Sequence, residues 1–258
     1  MRSILNPLLR AIPPILFIVA LLAVVESLVR FGYADRAFVP LPTAVAARTA
    51  QLVASAAVVR PLTSTVGLLA SGYAIGCFVA VVLGVLMGSY RRVYNLFEPL
   101  IELIRPVPKA ALLPALILFL GFGPTMKITV VAMASFFPTL VNTVQGVRAV
   151  DRVLTDMALT YGHGQMTILW RILLPASAPY ILSGMRIALG ISLIVVIIAE
   201  MLSGDTGLGE VIVTSQRRFF VVDSYAWLVV VAVLGVVLNA AFRLAARRTT
   251  FWVAPTSG

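Results

Sequence analysis

At 258 residues, 60% hydrophobic and only 12% charged, the chain is too apolar for a soluble domain, which is typically about half apolar and a quarter charged. The net charge of +10 would suit nucleic acid, but the basic residues flank apolar runs and form no stripe, so they read as topology signals and lipid-headgroup contacts, with no nucleic-acid partner. One cysteine, Cys77, and one histidine, His163, exclude a disulfide framework, a cysteine metal site and most catalytic constellations.

Crossing the hydrocarbon core takes about 20 apolar residues in a helix. In chain order, the first such run covers 11–31. It carries Pro13 and Pro14 near its start and has no small-residue cleavage site at its end, so it reads as a retained span and not as a signal peptide. Residues 41–59, "LPTAVAARTAQLVASAAVV", are apolar at helical spacing and open with Pro42-Thr43, which predicts an interfacial helix. A second span is expected at 65–88. Its Gly72, Gly76, Gly84 and Gly88 make two small-xxx-small steps that call for a close helix crossing, with Cys77 a packing residue among them.

The third span, 99–121, holds Glu102, Arg105 and Lys109 at three- and four-residue spacing and is interrupted by Pro106, Pro108 and Pro114. Charges within a span face a cavity or pair with one another, and a broken helix frees carbonyls that only protein or water can meet. Two readings stay open: a basic stretch lining an anion path, or a local Glu102–Arg105 pair near the membrane rim. Further spans are expected at 126–147, 178–202 and 225–243. The fifth contains Arg186, placed to snorkel to an interface, and ends at Glu200, placed near an outer gate. Residues 203–224 are read as an outer segment whose "SGDTGLGEVI" lacks the lysine of a phosphate-binding loop and reads as a packing turn.

Six spans put both termini on one side. More of the near-span Lys and Arg fall on the side of Arg91, Arg92, Arg148, Arg152 and Arg171, so that side and both termini are expected in the cytoplasm. The expectation is one all-α, multi-pass transmembrane domain over 1–258.

The polar insert between the fourth and fifth spans is the unusual feature. "DRVLTDMALTY" (151–161) places Val153, Leu154, Met157, Ala158 and Tyr161 on one helical face, with Asp151 as N-cap. Gly162 comes where a helix needs a left-handed residue to stop. After Gly164, "QMTILWRILLP" is expected to form a second short helix ended by Pro175. The product is an elbow of two short helices tied to two spans.

This stretch resembles the EAA loop of ABC-importer permeases, whose pattern is Glu-Ala-Ala, three residues, Gly, nine residues, Ile, one residue, Leu-Pro. Asp156, Met157 and Ala158 stand in the first three places, followed at matching spacing by Gly162, Ile172 and Leu174-Pro175. Asp for Glu and Met for the first Ala are departures, and the shorter acid puts the aim of a docking contact in doubt. "LIRPVPKAALLPALILFLGFG" (103–123), "FFPTLVNTVQGV" (136–147), "LPASAPYILSGMRIALG" (174–190) and "AEMLSGDTGLGEVI" (199–212) are similar to the nitrate/sulfonate/taurine branch of these permeases.

The resemblance implies a type I ABC-importer permease fold in a bacterial inner membrane and a non-catalytic role. It implies a second permease copy, most simply a homodimer, two ATPase subunits that hold ATP and Mg, and an extracytoplasmic substrate-binding protein. It also implies that 151–175 is the coupling loop, with Asp156, Met157, Ala158, Gly162, Ile172, Leu174 and Pro175 as its contact set and His163 beside them. The sequence has no G-x-x-x-x-G-K-[ST], so no cofactor or phosphate cradle is expected in this chain. His163 has no second ligand type near it, so no metal site is expected. Glu102, Arg105, Lys109 and Glu200 are the candidate path residues. The solute implied is a small anion such as an aliphatic sulfonate, taurine or nitrate. An aromatic or pyrimidine solute is the alternative within the family, and an ion-coupled secondary transporter is the alternative outside it.

Overall fold

A computed structural model describes the backbone of residues 2–249, with side chains at Pro13 and from residue 16 onward. Met1 and residues 250–258, and with them the expected cytoplasmic ends of the chain, lie outside the described residues. Arg2 and Arg10, two of the basic residues near the first expected span, lie outside the described side chains.

The fold is all-α. In chain order the helices are α1 (Arg2–Arg30), α2 (Pro42–Ala54), α3 (Val59–Ser89), α4 (Arg91–Ile104), α5 (Leu113–Leu120), α6 (Pro124–Arg148), α7 (Arg152–Thr160), α8 (Gln165–Ile168), α9 (Leu174–Ser203), α10 (Leu208–Arg217) and α11 (Val221–Thr249). A 3-10 turn, Lys109–Leu112, precedes α5, and a π turn, Leu169–Leu173, joins α8 to α9. Among the described residues, α3, α6, α11 and the continuous run Gln165–Ser203 are long and apolar enough to cross a membrane. The segment expected at 99–121 is divided between α4 and the 3-10 turn with α5, two halves bent by 81°. The expected first span, 11–31, lies largely on α1.

Contacts group the chain into two units, 1–60 with 211–232, and 61–210 with 233–258. In the first, Glu26 organises the entry to α2. Leu41 has no side chain to cap that helix, and Pro42 occupies its first position. The Thr43 N–H and hydroxyl donate instead to the Glu26 carboxylate at 3.1 and 2.8 Å, while Arg30 holds the same carboxylate at 2.8 Å. An anion at a helix start satisfies an orphan donor and opposes the dipole. Arg48 of α2 pairs with Asp223 at the start of α11.

The second unit is built on α6, which packs against α3 on one flank and α9 on another. The glycine ladder of α3 faces α6, as its spacing predicted. A Cβ on Gly76 would lie 2.1 Å from Ser135 Oγ and 2.3 Å from the Ala132 carbonyl oxygen, and one on Gly84 would lie 2.7 Å from Thr143 Cβ. Only a missing side chain lets the two backbones come this close, which replaces a hydrophobic drive that lipid cannot supply. Cys77 is buried in that seam, its sulfur 3.4 Å from Thr139 Oγ1.

Pro175 does not end a helix, contrary to the sequence expectation. It sits at the second position of α9, and helix continues through it from Gln165 to Ser203. The π turn at Leu169–Leu173 explains this. Its wider register carries the hydrogen-bond ladder past a residue that has no N–H to donate.

Candidate functional site

The elbow is held by its own backbone. Asp151 Oδ1 accepts from the Val153 N–H at 2.9 Å and caps α7, a helix of nine residues. At the other end Gly162 adopts φ +77°. Its N–H donates to the Leu159 carbonyl at 2.9 Å, and the His163 N–H donates to the Ala158 carbonyl at 3.0 Å. These are the paired bonds of a Schellman stop, which satisfies two of the orphan carbonyls at a helix end. A Cβ at Gly162 would meet nothing within 4 Å, so the position demands glycine for its backbone angle and not for space. Gly164 then serves as the N-cap residue of α8.

Of the five apolar α7 residues expected on one face, only Ala158 is buried, at 6% exposure. Val153, Leu154, Met157 and Tyr161 are exposed, and Met166 and Trp170 extend this apolar surface beyond the turn. Asp156 and His163 are exposed as well, while Ile172, Leu174 and Pro175 are half-buried where the elbow feeds into α9. The sequence-predicted coupling set is thus gathered on one capped element that is covalently continuous with a long span.

The four candidate path residues are not gathered in the same way. Glu102 and Arg105 form an i,i+3 pair at 3.5 Å, both exposed. Lys109 has a local occupation: its Nζ donates to the Ile104 and Val107 carbonyls at 2.8 Å each and to the Arg105 carbonyl at 3.4 Å. The ammonium also lies 4.1 Å from the Phe137 ring centroid. It therefore satisfies the carbonyls freed where the chain breaks between α4 and α5. Arg186 donates to Asn239 Oδ1 at 3.0 Å.

Glu200 sits elsewhere, fully buried. Thr65 Oγ1 donates to its two carboxylate oxygens at 2.8 and 3.0 Å, and the Gly209 N–H donates at 2.9 Å. The same Thr65 oxygen accepts from the Leu208 N–H at 2.9 Å. A Cβ on Gly207 would fall 2.2 Å from Glu200 Cδ, and one on Gly209 would fall 2.2 Å from the Ile197 carbonyl oxygen. This latch ties α3, α9 and the start of α10 into one knot.

Nearby, Lys127 is 1% exposed and reaches Asp205 at 3.4 Å. The Thr206 N–H, at 2.7 Å, and then the Lys127 ammonium hold the Asp205 carboxyl below the usual carboxylate range. The sequence reading missed the latch. It read 203–224 as an outer segment and predicted no helix there. The available signal was an acid closing an apolar span with two glycines, Gly207 and Gly209, just beyond it.

Comparison with known proteins bears on the whole chain. Residues 72–251 match the family described as binding-protein-dependent transport system inner membrane component. A "probable ABC transporter permease protein" of Brucella melitensis biotype 1 is 34% identical over 213 residues, covering 83% of this chain and 87% of that protein. The taurine transport system permease protein of Escherichia coli K12 is 35% identical over 170 residues, 66% of this chain and 62% of that one. A chain of the inward-facing MetNI methionine ABC transporter superposes with a TM-score of 0.64 at 18% identity, covering 75% of this chain and 96% of that chain, a likeness of fold.

Proposed function

Because the chain belongs to the binding-protein-dependent transport system inner membrane components, and is a permease subunit of an ABC importer, we propose that its solute is a small sulfonate-bearing anion such as taurine and that residues 151–175 are its coupling element. Support for the solute is the name and similarity of the taurine permease. Support for the coupling element is one observation above the others: a capped elbow with exposed apolar side chains whose second arm runs without interruption into α9. A partner that grips Met157, Tyr161 and their neighbours and moves would move a membrane helix.

Members of the family work with ATPase subunits and a substrate-binding protein. In this reading two ATPase subunits carry ATP and Mg, hydrolyse on their own side, and each engages the elbow of one of two identical permease copies. The elbow and both termini face the cytoplasm, and the binding protein docks on the opposite face. Asp156 supplies the acidic contact of the elbow, one methylene shorter than a glutamate. An ion-coupled secondary transporter is not favoured, because the relatives are named as permeases of ABC transporters.

Reconstitution into vesicles with the ATPase and the binding protein tests both parts. Uptake of labelled taurine should require ATP hydrolysis, and Gly162→Asp should abolish uptake while the permease still reaches the membrane. Normal uptake by that variant would remove the coupling assignment. ATP-dependent uptake of a neutral aromatic solute in place of taurine would remove the solute assignment.

A further inference from the structure

A cavity of about 680 Å³ lies beside the elbow, walled by the start of α4, the end of α6, and α7 with α8. Three arginines from three different helices line it: Arg91, Arg148 and Arg152. No carboxylate is among its described lining residues. Two acids flanking lining residues have hydrogen-bond partners of their own, Glu98 the Tyr94 hydroxyl and Asp151 the Val153 N–H. Like charges gathered at one cavity without a counter-ion repel, and an arrangement of this kind is stabilised by an anion.

The details narrow the anion. Arg148 is stacked on the Tyr94 ring, its Cζ 3.4 Å from the centroid. Stacking holds the guanidinium in place, and the N–H groups it does not spend on the Tyr94 hydroxyl suit a grip on an oxyanion. Ser89 Oγ is enclosed at the wall of the cavity and has no hydrogen-bond partner among the described residues. A buried hydroxyl of this kind usually has one. Three arginines at one cavity and a hydroxyl without a partner match the several oxygens of a phosphate better than a single carboxylate.

We propose that this cavity is a phosphate-binding site, taking either a phospholipid headgroup or free inorganic phosphate, and that its occupant staples the elbow to α4 and α6. Basic pockets between helices at the membrane rim are the setting in which lipid headgroups bind. Exposed Leu96, Leu100 and Leu103 on α4 offer acyl chains an apolar strip leading away from the cavity. The site does not depend on which solute is imported.

The test uses the full chain purified in a neutral detergent. Its thermal unfolding is followed against inorganic phosphate, short-chain phosphatidylglycerol and, as a neutral control, short-chain phosphatidylcholine, at constant ionic strength. A saturable rise in midpoint with phosphatidylglycerol, absent with phosphatidylcholine, assigns the headgroup; a rise with phosphate alone assigns the free ion. Either affinity should weaken about tenfold for each guanidinium removed in Arg91→Gln and Arg152→Gln. Arg91→Lys, which keeps the charge and loses the fork, should fall between. Ser89→Ala gives a second handle if an arginine variant fails to fold. No saturable response in the wild type, or equal affinity across wild type and the folded variants, overturns the proposal.

Discussion

The elbow and the latch both turn on glycine, for opposite reasons. At the elbow, Gly162 has open space where a side chain would go and is required only for its φ of +77°. At the latch, Gly209 has no such φ, and its missing side chain makes room for the Ile197 carbonyl, 2.2 Å from where a Cβ would stand. The elbow exposes apolar side chains, and its stop at Gly162 is made by backbone hydrogen bonds alone. The latch is enclosed, with a carboxylate, a hydroxyl and two amide N–H groups satisfying one another. An elbow that meets a partner, as proposed, and a latch that holds helices together should therefore fail differently when altered.

The largest effect is expected at the latch. Gly209→Val places three carbons against the Ile197 carbonyl and the Glu200 Cβ, 2.8 Å from a Cβ at 209, and α9 and α10 cannot part without breaking the Gly209–Glu200 and Leu208–Thr65 bonds. A cost of about 3 kcal/mol or more is expected. It should be read as loss of folded protein in detergent and a lowered melting midpoint. Wild-type stability with impaired transport would mean that the latch is a moving part and would dissolve the contrast.

An intermediate effect is expected at the elbow. Gly162→Ala carries the left-handed penalty of about 1–2 kcal/mol, with no added crowding. The Schellman stop frays at the same cost, so the melting midpoint should move little while coupled ATP hydrolysis and uptake fall together. Gly162→Asn, whose side chain tolerates the left-handed region better, should recover part of both. A variant that unfolds as readily as Gly209→Val would show that the elbow also carries the fold.

Much of this architecture is legible in the sequence because lipid leaves few choices. Apolar length marks the long helices, and the glycine spacing of α3 announces its crossing with α6. Asp151 and Gly162 mark the elbow by local rules of capping and handedness. What the sequence hides is where long-range geometry decides. The route through Pro175 depends on a π turn that no residue in 169–173 announces. Whether Lys109 faces a path or its own chain's carbonyls depends on how sharply α4 and α5 bend. Glu200 reads as a gate because a charge in a span usually meets water. Its partners, Thr65 and Gly209, are 135 and 9 residues away, a pairing that periodicity cannot reveal.

The smallest effect tests whether the latch has an electrostatic rim. Asp205 is half-exposed and Lys127 is not, so the pair is open to solvent on one side only and should contribute less than about 1 kcal/mol. Its sign can be worked out. The folded state holds the Asp205 carboxyl below its usual range, first through the Thr206 N–H and then through Lys127. The ionised form therefore favours folding at every pH above the unfolded value of about 3.9, and that contribution disappears as pH falls through the lower folded value. Asp205→Asn keeps an oxygen for the Thr206 N–H and leaves Lys127 with the field of Glu200. The variant should run parallel to wild type above about pH 5, slightly less stable, and converge with it below about pH 4 as the wild type loses the same increment. Melting midpoints from pH 3 to 8 decide it, and an acid limb of equal slope in both proteins would place Asp205 outside the latch.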